Sequence, residues 1–283
     1  MTTSEPGRSR VLLVAAAALF STGGAAIKAT TLTGWQVSTF RSGVAGLAVL
    51  LMLPAARQGW GLRPLLVGGA YAATMILFVQ ANKLTTAANT IFLQSTAPIY
   101  VVLLGPWLLG ERNRPRDYLF MTAMGGGLAL FFVGTEHPAF TAPRPAEGNL
   151  LALLSGMTWA LTIAGMRWMG KREGPSPTVA VAAGNAMTFL FGLRWALPVE
   201  TSHAIDWLVI VYLGTFQIGL AYVCLTLALH HITALEASLL LLVEPALNPV
   251  WAWFVQGERP GTWALCGGAI ILLVTGVKAR FDQ

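Results

Sequence analysis

The sequence predicts an all-α membrane protein of ten transmembrane helices, arranged as two inverted five-helix repeats around a central cavity. Three observations carry this. The 283 residues are 55% hydrophobic and only 11% charged. The charges gather in short clusters between long apolar runs. Residues 81–112 recur at 228–259 with a constant offset of 147 and no gap.

Composition sets the solvent. A mean hydropathy of +0.64 leaves more apolar surface than one or two soluble cores could bury, so lipid must cover the rest. The formal charge of +6 does not indicate nucleic acid, because the basic residues punctuate apolar runs instead of lining one face. Cys224 and Cys266 both lie in apolar runs and read as small buried hydrophobes, not as a disulfide or metal pair.

Charged clusters mark span ends, since a helix needs about 20 mostly apolar residues to cross the hydrocarbon. The predicted spans are 11–29, 36–54, 64–82, 87–109, 117–135, 149–169, 177–198, 206–229, 235–256 and 261–278. Arg8 and Arg10 ahead of the first run, with Ala25-Ala26 near its end, resemble a secretory leader. Removing that run would leave nine spans and break the twofold count, so it reads as an uncleaved first helix. The widest break, 135–148, holds Pro138, Pro143 and Pro145 and reads as a linker between repeats 1–134 and 149–283.

Five spans per repeat is odd, so two like-folded repeats in tandem must cross the membrane in opposite directions. With a cytoplasmic N-terminus, twelve Lys and Arg fall inside and six, including Lys28, Arg41 and Lys83, fall outside or at the outer boundary. That bias predicts both termini cytoplasmic.

The two copies share a Thr near the start (Thr86, Thr233), a mid-span proline (Pro98, Pro245) and a closing Gly-Glu-Arg (110–112, 257–259). With Thr86-Ala87-Ala88 and Thr233-Ala234-Leu235 at their heads, they resemble the EamA-type repeats of the drug/metabolite transporter superfamily. Within it the chain is most similar to YddG-type exporters of aromatic amino acids and toxic compounds. The resemblance implies a ten-helix bundle in the inner membrane, a cavity between the halves, and export by alternating access.

Each proline removes a backbone donor and crowds the preceding turn, so Pro98 and Pro245 predict mid-membrane bends, either gating or shaping a cavity or simply kinking for packing. Glu244 alone among the twelve acids sits deep in an apolar run. Burying its carboxylate costs several kcal/mol unless it is protonated, paired or facing water. It reads as a partner for a substrate ammonium, a proton-coupling carboxyl or a structural hydrogen-bonding group. Leu241, Asn248 and Trp251 share its helix face.

Further amphiphilic stripes are Tyr71, Thr74, Met75, Phe78 and Asn82; Thr90, Gln94 and Ala97; Ser155, Trp159 and Thr162; and Thr215, Gly219, Tyr222 and Thr226 with Gln217 to one side. Singly, such stripes are ordinary helix packing. Together they predict a shared cavity lined by Tyr71, Phe78, Gln94, Trp159, Gln217, Tyr222, Glu244, Asn248 and Trp251. Most of the ten Trp sit at span ends as interfacial anchors, leaving Trp159 and Trp251 as stacking candidates.

Gly125-Gly126-Gly127 and Gly267-Gly268 suit close helix packing, within the protein or across a homodimer. Lys83, His230 and His231 read as solvated or snorkelling helix ends.

No phosphate-binding loop, His-Glu-x-x-His or Gly-x-Ser-x-Gly elbow is present, so no catalytic residue, metal or cofactor is expected. A secondary transporter for a small apolar or aromatic amino acid leads. A channel comes second, lacking rings of repeated charges or carbonyl motifs, and an integral membrane enzyme third. Anion-carrier branches of the superfamily are disfavoured because deep positions hold almost no Lys or Arg.

Overall fold

The computed structural model describes residues 5–108, 115–133, 139–170, 176–228 and 240–281. Among them, all regular structure is helical apart from an isolated bridge between Ala139 and Ala142. The elements of the first half are α1 (Glu5–Ser21), α2 (Gly23–Lys28), α3 (Gly34–Met52), α4 (Leu62–Leu84), α5 (Ala87–Gln94), α6 (Ala97–Leu108) and α7 (Pro115–Val133). The second half holds α8 (Pro145–Gly170), α9 (Pro177–Ala196), α10 (Ala204–Tyr212), a π-helical segment (Leu213–Leu220), α11 (Ala221–Ala228), α12 (Val243–Gln256) and α13 (Thr262–Phe281).

Among the described residues, six helical stretches are long and apolar enough to cross a bilayer: Gly7–Lys28, Leu62–Leu84, Ala87–Leu104, Pro145–Met169, Pro177–Ala196 and Ala204–Ala228. The remaining expected spans fall on α3, α7, α12 and α13. The first Gly-Glu-Arg, His230, His231 and Thr233 lie outside the described residues.

Helix starts follow local chemistry. Thr33 opens α3 by accepting from Gln36 N (3.2 Å) while Gln36 Oε1 accepts from Thr33 N (3.0 Å), a reciprocal capping box. Thr86 opens α5 by accepting from Asn89 N (3.1 Å). The shared Thr of the repeat is thus a helix cap in the first copy.

Among the described residues, four of the expected spans are interrupted. The first bends at Thr22, between α1 and α2. The fourth breaks at Ser95-Thr96, and Pro98 falls in the first turn of α6, where a missing N–H leaves no bond unmade. The ninth turns at Leu242, and Pro245 likewise sits in the first turn of α12. The eighth, read as continuous α-helix from sequence, instead widens into the π segment over eight residues. Hydroxyls beside the breaks add a second donor to carbonyls that already accept a backbone N–H: Thr22 Oγ1 donates to Leu19 O (2.8 Å), Ser95 Oγ to Ile91 O (2.7 Å) and Thr96 Oγ1 to Leu93 O (2.6 Å).

Most of the packing between the two halves is preserved when they are exchanged. α4 packs on α8 as α1 packs on α11; α4 packs on α9 as α3 packs on the π segment; α5 and α6 meet α8 as α12 meets α1. The pairs α3–α9, α5–α12 and α7–α13 map onto themselves. Many large apolar side chains, among them Leu66, Phe132, Leu190, Leu208, Phe254 and Leu273, point outward, as a lipid-facing surface requires.

The glycine runs meet each other inside the protein. A Cβ on Gly267 would lie 2.5 Å from Gly127 O, whereas one on Gly126 would have nothing within 4 Å. Both cysteines are free, and Cys266 is exposed, contrary to its reading as a buried residue, because its helix turns that side outward.

Gly267→Ala therefore forces α7 and α13 apart and costs about 1–3 kcal/mol. Gly126→Ala leaves stability unchanged or raises it by up to ~1 kcal/mol. Melting temperatures of the two detergent-purified variants against the parent check this; equal shifts would sink the glycine-contact reading.

Candidate functional site

A cavity of about 130 Å³ lies between the halves. On α4, Tyr71, Thr74, Met75 and Phe78 face it at i, i+3, i+4 and i+7, one continuous stripe of a 3.6-residue helix. Phe20 comes from the end of α1, Arg41 from α3 and Gln94 from the end of α5. The second half contributes Trp159 on α8, Gln217 and Ile218 on the π segment, Tyr222 and Leu225 on α11, and Leu241 and Glu244 flanking the Leu242 turn.

Each helix interruption is bordered by a lining residue: Phe20 at Thr22, Gln94 at Ser95-Thr96, Gln217 within the π segment, Leu241 and Glu244 at Leu242. The π turn also explains the register. Gln217 and Tyr222 are five residues apart and share a wall because i→i+5 bonding widens the turn, whereas α periodicity sets Gln217 aside.

The wall is mixed. Phe20 meets Tyr222 edge-on with ring centroids 5.4 Å apart, and Tyr71 lies 6.3 Å from Tyr222. Asn185 Nδ2 donates to Tyr71 Oη (3.3 Å), Gln94 Nε2 to Ser155 Oγ (2.8 Å), and Thr74 Oγ1 to Thr158 Oγ1 (2.9 Å). Apolar surface thus alternates with amides and hydroxyls already held in place.

Seven of the nine ligand-contact candidates line this cavity: Tyr71, Phe78, Gln94, Trp159, Gln217, Tyr222 and Glu244. Asn248 does not. It is 1% exposed, packed beside Gly24 on α2, and neither amide atom has a hydrogen-bond partner. Trp251 is also outside the lining, 37% exposed, with Nε1 donating to Ser21 Oγ (2.9 Å). Both share Glu244's helical face by spacing, but the bundle narrows beside α1 and α2 and takes them into the α12 contact.

Among the lining residues that the sequence left out of the site, Phe20, Ile218 and Leu225 are apolar and Arg41 is charged. Its place near the start of a span made it a boundary charge. The structure puts it two turns into α3, 1% exposed, among the largest fully buried side chains. It is thus a cation at a deep position and not at the outer boundary where the sequence placed it. Lys83, expected at a solvated end, is partly buried and donates to Thr30 O (2.8 Å) and Thr30 Oγ1 (3.0 Å).

The EamA-like transporter family model matches residues 8–133 and again 146–277. The chain belongs to the EamA-like transporter family. Membership places it among membrane transporters of small molecules. It is 32% identical to an uncharacterized protein of Pseudomonas aeruginosa, over 95% of this chain and 96% of that one. It is 23% identical to an uncharacterized transporter of Archaeoglobus fulgidus, over 71% of this chain and 68% of its relative. A solved crystal structure shares the fold, with a TM-score of 0.61 at 20% identity over 97% of this chain and 98% of that one.

In this EamA-like chain the second Gly-Glu-Arg has a defined task at one end of the bundle. Glu258 Oε1 pairs with Lys28 Nζ at 2.9 Å, both side chains 4% exposed, and Oε2 accepts from Ala87 N (2.8 Å) at the N-terminus of α5. Lys28 also donates to Thr85 O (2.7 Å) and Thr141 O. Nearby, Asp206 accepts from Thr31 N (2.8 Å), Thr31 Oγ1 (2.7 Å) and His203 N (2.8 Å). These contacts tie the two halves together at the Lys28 end.

Glu258→Gln leaves the Lys28 ammonium buried without its countercharge and destabilises the protein by about 3–5 kcal/mol. Glu147→Gln, at an exposed i, i+3 pair with Arg144, costs at most about 1 kcal/mol. Thermal unfolding in detergent compares them; matching shifts would remove the latch from the account of this end.

Proposed function

We propose that the protein is a secondary transporter that exports small amphiphilic metabolites, aromatic or apolar amino acids and related toxic compounds, by alternating access through the central cavity. It resembles the YddG-type exporters in this reading. The observation that carries it is the cavity itself, built from both halves, bordered by every helix interruption among the described residues, and mixing aromatic wall with polar groups. Ligand sites in transporters with internal repeats lie where broken helices from the two repeats meet.

Ten spans in two inverted halves, set in the inner membrane with both termini cytoplasmic, complete the reading. The exchange-symmetric packing supports the duplication. The Lys28–Glu258 latch then closes the outer end, and rocking of the halves opens it. Pro98 and Pro245 mark where α6 and α12 begin beyond their breaks, so the fourth and ninth spans flex there. Substrate contacts fall to Tyr71, Phe78, Gln94, Trp159, Gln217, Tyr222 and Glu244, with Asn248 and Trp251 behind the wall. The chemistry needs no cofactor.

Liposomes containing the purified protein and trapped unlabelled L-phenylalanine should accumulate radiolabelled L-phenylalanine saturably by counterflow. Trp159→Ala should raise the half-saturation concentration roughly tenfold, the loss of about 1.4 kcal/mol of aromatic contact. Unsaturable flux without exchange would replace the carrier with a channel.

A further inference from the structure

We infer that Arg41 and Glu244 form a two-point charge clamp that selects zwitterions, Arg41 taking the carboxylate and Glu244 the ammonium of one ligand. This rests on the transporter reading above and names the groups that would make it selective.

A guanidinium in a low-dielectric interior costs several kcal/mol unless it is paired or hydrogen-bonded. Arg41 is 1% exposed, its Nε has no hydrogen-bond partner, and Nη2 reaches only the weak acceptor Met75 Sδ at 3.5 Å. No carboxylate among the described residues pairs with it, although Lys28, Lys278 and Arg144 are all paired. The one direction left for its charge is the cavity it lines.

Glu244 presents the complementary case. It lines the same cavity from the opposite half, with no cation among the described residues pairing with it. Two opposite charges that share a small cavity without bonding each other leave a gap for a group that bonds both. The cavity offers one cation and one acid. A phosphate dianion would find one cation opposed by one acid, and a simple amine would leave Arg41 unanswered. A zwitterion answers both. Arg–carboxylate contact is also the geometry a guanidinium fork favours.

The clamp spans the halves, Arg41 on α3 and Glu244 on α12. A bound zwitterion would therefore tie the two halves together through its own charges, while its side chain lies against Phe20, Tyr71 and Tyr222.

The test is competition for binding of radiolabelled L-phenylalanine to the detergent-purified protein. The competitors are L-phenylalanine, phenethylamine, which lacks the carboxylate, and 3-phenylpropionate, which lacks the ammonium. The parent should prefer L-phenylalanine to either half-ligand at least tenfold. Arg41→Gln should abolish the preference over phenethylamine while leaving phenethylamine affinity within about threefold. Glu244→Gln should abolish the preference over 3-phenylpropionate.

Gel filtration and melting curves establish that each variant is folded. Removing an unpaired buried charge should not lower the melting temperature. Should Arg41→Gln fail to fold, Arg41→Lys replaces it, expected to keep charge but weaken the carboxylate preference by losing the fork. Undiminished discrimination in folded variants whose parent shows counterflow overturns the clamp alone. A parent that neither binds nor exchanges L-phenylalanine overturns the clamp and the amino-acid reading together.

Discussion

In hydrocarbon no water is available to satisfy a backbone N–H or C=O, so every break in a helix must be covered by protein or open onto a wet cavity. That constraint organises this molecule. Its interruptions at Thr22, Ser95-Thr96, Leu213–Leu220 and Leu242 could each have fallen anywhere along their spans, yet all are bordered by residues of one cavity. Small hydroxyl side chains add a second donor to carbonyls beside the breaks at Thr22 and Ser95-Thr96. The prolines fit the same logic. Pro98 and Pro245 lie just beyond their breaks, in first turns where the lost donor has no cost.

The same solvent sorts the charges. An ionised group away from water needs a partner, and the described charges near the bundle ends have them: Lys28 with Glu258, Lys278 with Asp117 at 2.6 Å, and Asp206 among three donors. The two ion pairs each join opposite halves, so the ends of the bundle are tied by electrostatics while its outer surface is apolar. Arg41 and Glu244 depart from the rule in the middle. Neither has an ionic partner among the described residues, and both line the cavity between the halves.

Much of this was legible from spacing. The stripe Tyr71, Thr74, Met75 and Phe78 is a helical face by arithmetic, and Glu244 was conspicuous as an acid in an apolar run. Gln94, Trp159 and Tyr222 followed from amphiphilic patterning on their spans. Arg41 was not legible, because a basic residue near a span start reads equally well as an interfacial charge, and only the depth of α3 in the bundle separates the two. Gln217 was misaligned by assuming 3.6 residues per turn through a segment that is π-helical. Asn248 and Trp251 share Glu244's face but not its surroundings; a helix face is set by the chain's own geometry, whereas what covers that face changes along its length.

The sequence by itself determined the solvent, the helical class, the internal duplication and most of the polar positions available to a site, because each follows from local periodicity or from the cost of placing charge in lipid. Tertiary structure alone decided which of those positions converge. It pairs Lys28 with Glu258 across 230 residues of chain separation, seats Gly127 against Gly267, and turns Arg41 and Glu244 toward one space. Those are relations between helices, and they are fixed by how small residues let backbones approach and by which breaks must share a cavity.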